Sequence, residues 1–363
     1  MKLLIKRTVV AVVFLAILFK LINDVVFLAR PMDRDSDNVS YLYKEDSDSL
    51  NVVFMGSSAI YRFWIPQQAY EEQNFTSLLL ATAGQNLDTV PYLMEEVKKT
   101  QDVDLFVVEI RSPLATEAHR IDGKDNEDVF LARLSYTVMG MRQSFNRLNL
   151  IQNVLEENKE NTKLEWMFPI LKYHDNISAL TADQMIHRIN GVKKDAIYTN
   201  ITYKVSKQKA PVFEDDASIF LPEADKRSID RVEMKAKELG VKVLLVATPY
   251  IPNHTRAALH VQMNEYIEQQ GYEYLNMTNK IDEIELELTE DFYDKNHVNI
   301  SSAQKVTGYL SEYIAESYEL KDCLNQKQKT RWKKACEEWH AERDELLERW
   351  NLAVEEMDGN VNR

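Results

Sequence analysis

Cysteine is nearly absent from this 363-residue chain, with only Cys323 and Cys336, both near the C-terminus. Two cysteines make neither a disulfide framework nor a zinc site, and they can pair outside the cell only if the chain turns back between them. Positive charge is also short. The chain has 44 Lys and Arg against 58 Asp and Glu, for a formal net charge of -14, so it lacks the basic footprint that nucleic-acid binding needs. There is no GxGxxG, P-loop, HExxH or GxSxG. That leaves no motif for dinucleotide, nucleotide, zincin or α/β-hydrolase chemistry. His119, His174, His187, His254, His260 and His340 are scattered without ligand spacing, so neither a metal nor another cofactor is expected. Hydrophobic and charged fractions of 45 % and 28 % are globular values and argue against wholesale disorder.

The N-terminus is richer in signal. Lys2, Lys6 and Arg7 precede an unbroken apolar run at residues 9–19, and apolar character resumes after Lys20. Residues 8–28 together match one bilayer span of roughly 20 residues. The segment Phe27-Leu28-Ala29-Arg30-Pro31 offers no Ala-x-Ala-like cleavage site. The expectation is therefore an uncleaved transmembrane anchor at residues 1–30, ahead of a cleaved signal peptide or a buried helix. The basic residues before the run put the N-terminus in the cytoplasm and the rest of the chain outside the membrane. Residues 31–50, polar and acidic, read as a juxtamembrane linker.

Apolar runs at 51–55, 77–82, 105–110, 241–247 and, more weakly, 272–277 are short, the first of them built on β-branched and aromatic residues. They read as buried parallel strands. Helical patterns at 90–99, 224–239 and 255–270 separate them, which predicts an α/β domain with a doubly wound parallel sheet over residues 51–320. A helical insertion, about 114–222, interrupts the alternation, with helices expected at 128–150, 164–173 and 181–189. It reads either as a cap over the site or as a separate packing subdomain. Residues 321–363 form an amphipathic C-terminal helix. Its stripe of Trp332, Cys336, Trp339, Leu346, Trp350 and Met357 favours packing on its own protein over a partner or membrane surface.

Ligand crevices in open α/β sheets lie beyond the carboxyl ends of the strands. The first strand ends in Gly56-Ser57-Ser58, a turn that presents a serine near a helix N-terminus. The second ends in Ala83-Gly84-Gln85-Asn86, where a glycine N–H is a second prospective oxyanion donor. Alone, each is a common turn. Beyond the last strand stands Asp294-Lys295-Asn296-His297. Three-residue spacing lets the carboxylate accept from the imidazole Nδ1–H and leaves Nε2 to take a serine proton.

In this order the three blocks resemble the SGNH/GDSL hydrolase superfamily over about residues 50–317, apart from the insertion. The resemblance implies a three-layer sandwich of the flavodoxin-like type. Ser58 is then the nucleophile in preference to Ser57, Asp294 and His297 complete a triad, and the Ser58 and Gly84 amides form the oxyanion hole. Phe54-Met55-Gly56-Ser57-Ser58 and Asn296-His297-Val298-Asn299 are most similar to anchored surface proteins of polymer D-alanylation and O-acetylation. That implies an extracytoplasmic esterase or acyl transferase acting on acetyl or alanyl esters of a surface polysaccharide or glycopolymer, with a membrane-bound O-acyltransferase as partner. One departure stands out. The family's third block carries an asparagine, but here the strand ends Glu109-Ile110-Arg111-Ser112-Pro113. Arg111 is a candidate to contact an oxyanion or an anionic substrate, or to pair with Glu109 instead. Asn86 is a second substrate-binding candidate. The competing reading is a non-catalytic partner of an acyltransferase or of a surface polymer.

Overall fold

The computed structural model describes residues 2–29, 34–111, 113–114, 127–156, 163–179, 181–182, 197 and 199–361. The helix expected at 181–189 falls almost wholly outside them, as do His119 and His187.

Five strands form one parallel sheet. They are β1 (Val52–Gly56), β2 (Ser77–Ala81), β3 (Leu105–Glu109), β4 (Lys242–Ala247) and β5 (Tyr274–Asn276), ordered β2-β1-β3-β4-β5. This is a doubly wound order, whose switch point lies beside β1. Every residue of β1, β2 and β3 is buried, because helices cover both faces; hence the strands read as continuous apolar runs. The alternating helices include α4 (Pro66–Gln73), α5 (Val90–Lys98), α10 (Glu223–Leu239), α11 (His254–Gln270) and α12 (Ile300–Ser317). Gly240 and Gly271, both left-handed, end α10 and α11. A small antiparallel pair, β6 (Phe292–Asp294) and β7 (His297–Val298), follows β5 and leads into α12.

The insertion joins the main core. Its helices α6 (Glu127–Gly140) and α7 (Phe145–Glu156) contribute Leu134, Val138, Leu150 and Ile151 to the same apolar cluster as the sheet. They are held there by polar anchors, among them the Asn146 Nδ2 bond to the Tyr92 carbonyl at 2.8 Å. They therefore do not form a separate packing subdomain. The polar stretch beyond, residues 199–216, has no regular structure and runs beside β6 and β7. Ser206 N bonds to the Phe292 carbonyl at 2.7 Å, and Ile300 N to the Thr202 carbonyl at 2.8 Å.

The acidic segment before β1 is not a linker. Residues 34–44 fold into α2 (Arg34–Ser40) and a 3-10 turn (Tyr41–Lys44). Val39, Tyr41 and Leu42 enter the core, and Asp35 is buried with its Oδ1 accepting from Ala83 N at 2.8 Å. The polar composition hid this because a few well-placed apolar residues are enough to seat a short helix, and a buried carboxylate is tolerated once a backbone N–H satisfies it.

The first helix, α1 (Lys2–Ala29), has 28 residues with exposed apolar side chains from Leu4 to Val25. Among the described residues no helix is long and apolar enough to cross a membrane. The expected transmembrane anchor is therefore not supported. The C-terminal helix α13 (Gln326–Val361) packs on its own protein, burying Trp332, Cys336 and Trp339, with Trp332 tilted against Tyr70 at 4.9 Å. Both cysteines are free thiols.

Candidate active site

At the exit of β1 the backbone needs Gly56. Its φ is +143°, and a Cβ there would fall 2.7 Å from the Glu109 Cβ. The following two serines take different tasks. Ser57 is buried, donates to Glu109 Oε2 at 3.1 Å, and caps α3 (Ser58–Tyr61) by accepting from Ala59 N at 3.2 Å. Ser58, the first helical residue, is partly open, and its Oγ lies 2.8 Å from His297 Nε2. No described residue accepts from the Ser58 N–H.

His297 is oriented by Asp294. Its Nδ1 is 2.9 and 3.0 Å from the two carboxylate oxygens, and Asp294 Oδ1 also accepts from the backbone N–H of His297 at 3.0 Å and of Asn296 at 2.7 Å. This is an Asx turn that brings donor and acceptor onto one side of the β6–β7 connection. Partial burial pushes the Asp294 carboxyl up, but the imidazole bond, the imidazole charge and the two backbone donors outweigh it and hold its pKa below the ordinary value. Asp294 therefore fixes the tautomer with Nε2 facing the Ser58 hydroxyl.

The turn after β2 supplies the third element. Gln85 N bonds to the Thr82 carbonyl at 3.1 Å, with Gly84 left-handed at φ +60°. The turn is clamped at both ends. Gln85 Oε1 accepts from Gly56 N at 2.8 Å, and Asp35 holds Ala83 N. No described residue accepts from the Gly84 N–H. Two backbone donors without an acceptor among the described residues, the Ser58 and Gly84 N–H groups, thus stand on neighbouring turns at the carboxyl edge of β1 and β2.

The structure also places the two candidate substrate-binding residues. Arg111 takes the alternative of pairing with Glu109 and is 2 % exposed. Its backbone N and Nε donate to Glu109 Oε1 at 2.8 and 3.0 Å, Nη1 to the Pro249 carbonyl at 3.3 Å, and Nη2 to the Asn296 carbonyl at 3.0 Å. Its guanidinium also lies 4.5 Å from the Tyr250 ring centroid. Its chemistry is positional, since it braces the residue before His297. Asn86 caps the 3-10 turn at Leu87–Thr89, its Oδ1 accepting from Asp88 N at 2.9 Å, so the amide oxygen is already engaged.

Other supports carried no local sequence signal. Glu109 accepts from both Ser57 and Arg111 while fully buried. Arg256 Nη1 reaches Asn296 Oδ1 at 2.5 Å, and Ile251 N reaches the Lys295 carbonyl at 2.7 Å. Arg256 on α11 and Ile251 in the loop after β4 join Arg111, which follows β3, on the turn that carries His297, a convergence visible only after folding. Among the described residues no cluster of His, Cys, Asp or Glu is disposed to hold a metal.

No model of a known protein family matches the chain, and no curated protein matches it significantly.

Proposed function

We propose that the chain is a serine ester hydrolase or O-acyl transferase of the SGNH/GDSL kind, with its sheet and helices forming that fold's three-layer sandwich. The observation that carries this reading is the continuous hydrogen-bonded path from Ser58 Oγ through the His297 ring to the Asp294 carboxylate. In this reading His297 Nε2 takes the Ser58 proton while Oγ bonds to an acyl carbonyl carbon. The carbonyl π pair moves onto oxygen, which the Ser58 and Gly84 amides receive. Collapse restores the carbonyl, breaks the ester C–O bond and passes the imidazolium proton to the leaving alkoxide. Water or a sugar hydroxyl, deprotonated by His297, then takes the acyl group from Ser58.

The substrate in this reading is an acetyl or alanyl ester of a surface polysaccharide or glycopolymer, handled outside the cytoplasm beside a membrane-bound O-acyltransferase. Membrane attachment falls to α1, whose apolar side chains, Val9, Val12, Phe14 and Leu15 among them, are exposed rather than buried in the domain. The test is labelling of the detergent-solubilised full chain by a fluorophosphonate, with p-nitrophenyl acetate turnover measured in parallel. Ser58→Ala should abolish labelling and lower turnover by about a million-fold, while Ser57→Ala should still label. If the wild type neither labels nor turns over, the chain is a non-catalytic partner of an acyltransferase or polymer.

A further inference from the structure

The insertion contributes one charged group to this site that sequence reasoning did not single out. Arg133, on α6, lays its side chain directly on Gly84: a Cβ built there would fall 2.5 Å from both Arg133 Cδ and Nε and 2.9 Å from Cζ. The contact depends on Gly84 having no side chain, so the glycine serves the guanidinium as well as its own left-handed turn. Arg133 is neither buried nor fully exposed. Among the described residues no carboxylate, carbonyl or hydroxyl accepts from it. An arginine has five N–H donors and usually finds acceptors when held against protein.

Three donors without acceptors therefore lie along the carboxyl edge of β1 and β2: the Ser58 N–H, the Gly84 N–H and the Arg133 guanidinium. The two turns that carry the amides are neighbours, since Gly56 pairs with Ala81 in register and Thr82 N bonds to the Gly56 carbonyl at 3.2 Å. Free donors along the sheet edge that also presents a serine hydroxyl engaged by histidine offer a place for negative charge that is absent at rest and appears during reaction. Arg111, the other arginine near this edge, is turned inward by its bonds to Glu109, Pro249 and Asn296.

We propose that Arg133 is a catalytic residue that donates to the acyl oxyanion, so that the oxyanion hole is composite, with two donors from the sheet and one from the inserted helix α6. The inference rests on Ser58 being the nucleophile.

The experiment uses the full chain in detergent with Arg133→Ala and Arg133→Lys. It measures fluorophosphonate labelling rate, kcat and KM on p-nitrophenyl acetate, and thermal unfolding to establish that each variant is folded. The expected result for Arg133→Ala is a fall of about a hundred-fold in kcat, KM within about threefold, slower labelling, and partial recovery with added millimolar guanidinium. Arg133→Lys should lie between. The proposal is overturned if folded Arg133→Ala keeps kcat within about threefold of wild type. It is also overturned if the loss is confined to KM, which assigns Arg133 to ground-state binding of an anionic substrate, or if guanidinium restores nothing. A wild type that does not label at all overturns the nucleophile assignment itself, an outcome distinguishable from a defect confined to Arg133 variants.

Discussion

Against the turn that carries His297, the Arg111 guanidinium is 2 % exposed and bonded to Glu109, Pro249 and Asn296; on the turn after β2, the Arg133 guanidinium rests on Gly84 with no acceptor among the described residues. The two are chemically the same group, yet the surroundings make one a brace and leave the other available for the charge-receiving role proposed above. A fully buried cation must be saturated, because desolvation of an unpaired ion costs several kcal/mol. Arg111 is therefore turned inward on Glu109, Pro249 and Asn296, where it braces the turn that carries His297. A cation near the solvent boundary carries a smaller penalty and can wait unpaired. The proposed site thus combines a buried, braced arginine with one left without an acceptor among the described residues, a combination suited to pre-organised electrostatic stabilisation.

The hardest test of this contrast is the orienting carboxylate. Asp294→Asn keeps the shape of the turn but cannot hold the imidazole with Nε2 free to accept, so turnover should fall about ten-thousand-fold with little change in KM. Steady-state kinetics on p-nitrophenyl acetate check it; a fall of less than tenfold would mean His297 does not depend on Asp294. Next comes the buried arginine. Arg111→Met leaves Glu109 buried without its cation and should destabilise the fold by about 3–5 kcal/mol. Adding Glu109→Gln should recover much of that loss in chemical denaturation; equal stability of the single and double variants would deny that Glu109 and Arg111 form one unit. The smallest effect is in pH. The folded pKa of Asp294 is depressed, so its contribution to stability is complete above the unfolded carboxylate value, about pH 4, and is lost as pH falls through the lower folded value. The gap in melting temperature between wild type and Asp294→Asn should therefore be constant near neutrality and close on acidification. A gap that widened in acid would reverse the assigned direction.

Much of this was readable along the chain because it is local. Short apolar runs marked all five strands, β-branched in β1, β3 and β4, and β2 and β3 begin at Ser77 and Leu105, as the runs predict. Gly56-Ser57-Ser58 and Asp294-x-x-His297 are short-range devices, whose turn and Asx geometry need only neighbouring residues. The stripe on α13 foretold its packing on the protein. What was illegible depends on distant partners. Nothing around Arg111 announces Pro249 and Asn296 as its acceptors, and nothing around Arg133 announces Gly84. Composition misread residues 34–44 as a linker because Asp35 looks like a solvated acid until Ala83 N is brought to it. It also gave no means of telling Ser57 from Ser58, a choice made by resemblance and now matched by Glu109 holding Ser57 and His297 facing Ser58.

By itself, then, the amino-acid order determined the α/β architecture, the two turns that present a serine and a free amide, and the carboxylate–imidazole pair, since each follows from periodicity or from contacts within a few residues. Only the tertiary structure decided which serine faces the histidine, which arginine is walled in and which is left open, and that the inserted helix reaches the site. Those outcomes turn on burial and saturation, and burial is a property of the packed chain rather than of any residue in it.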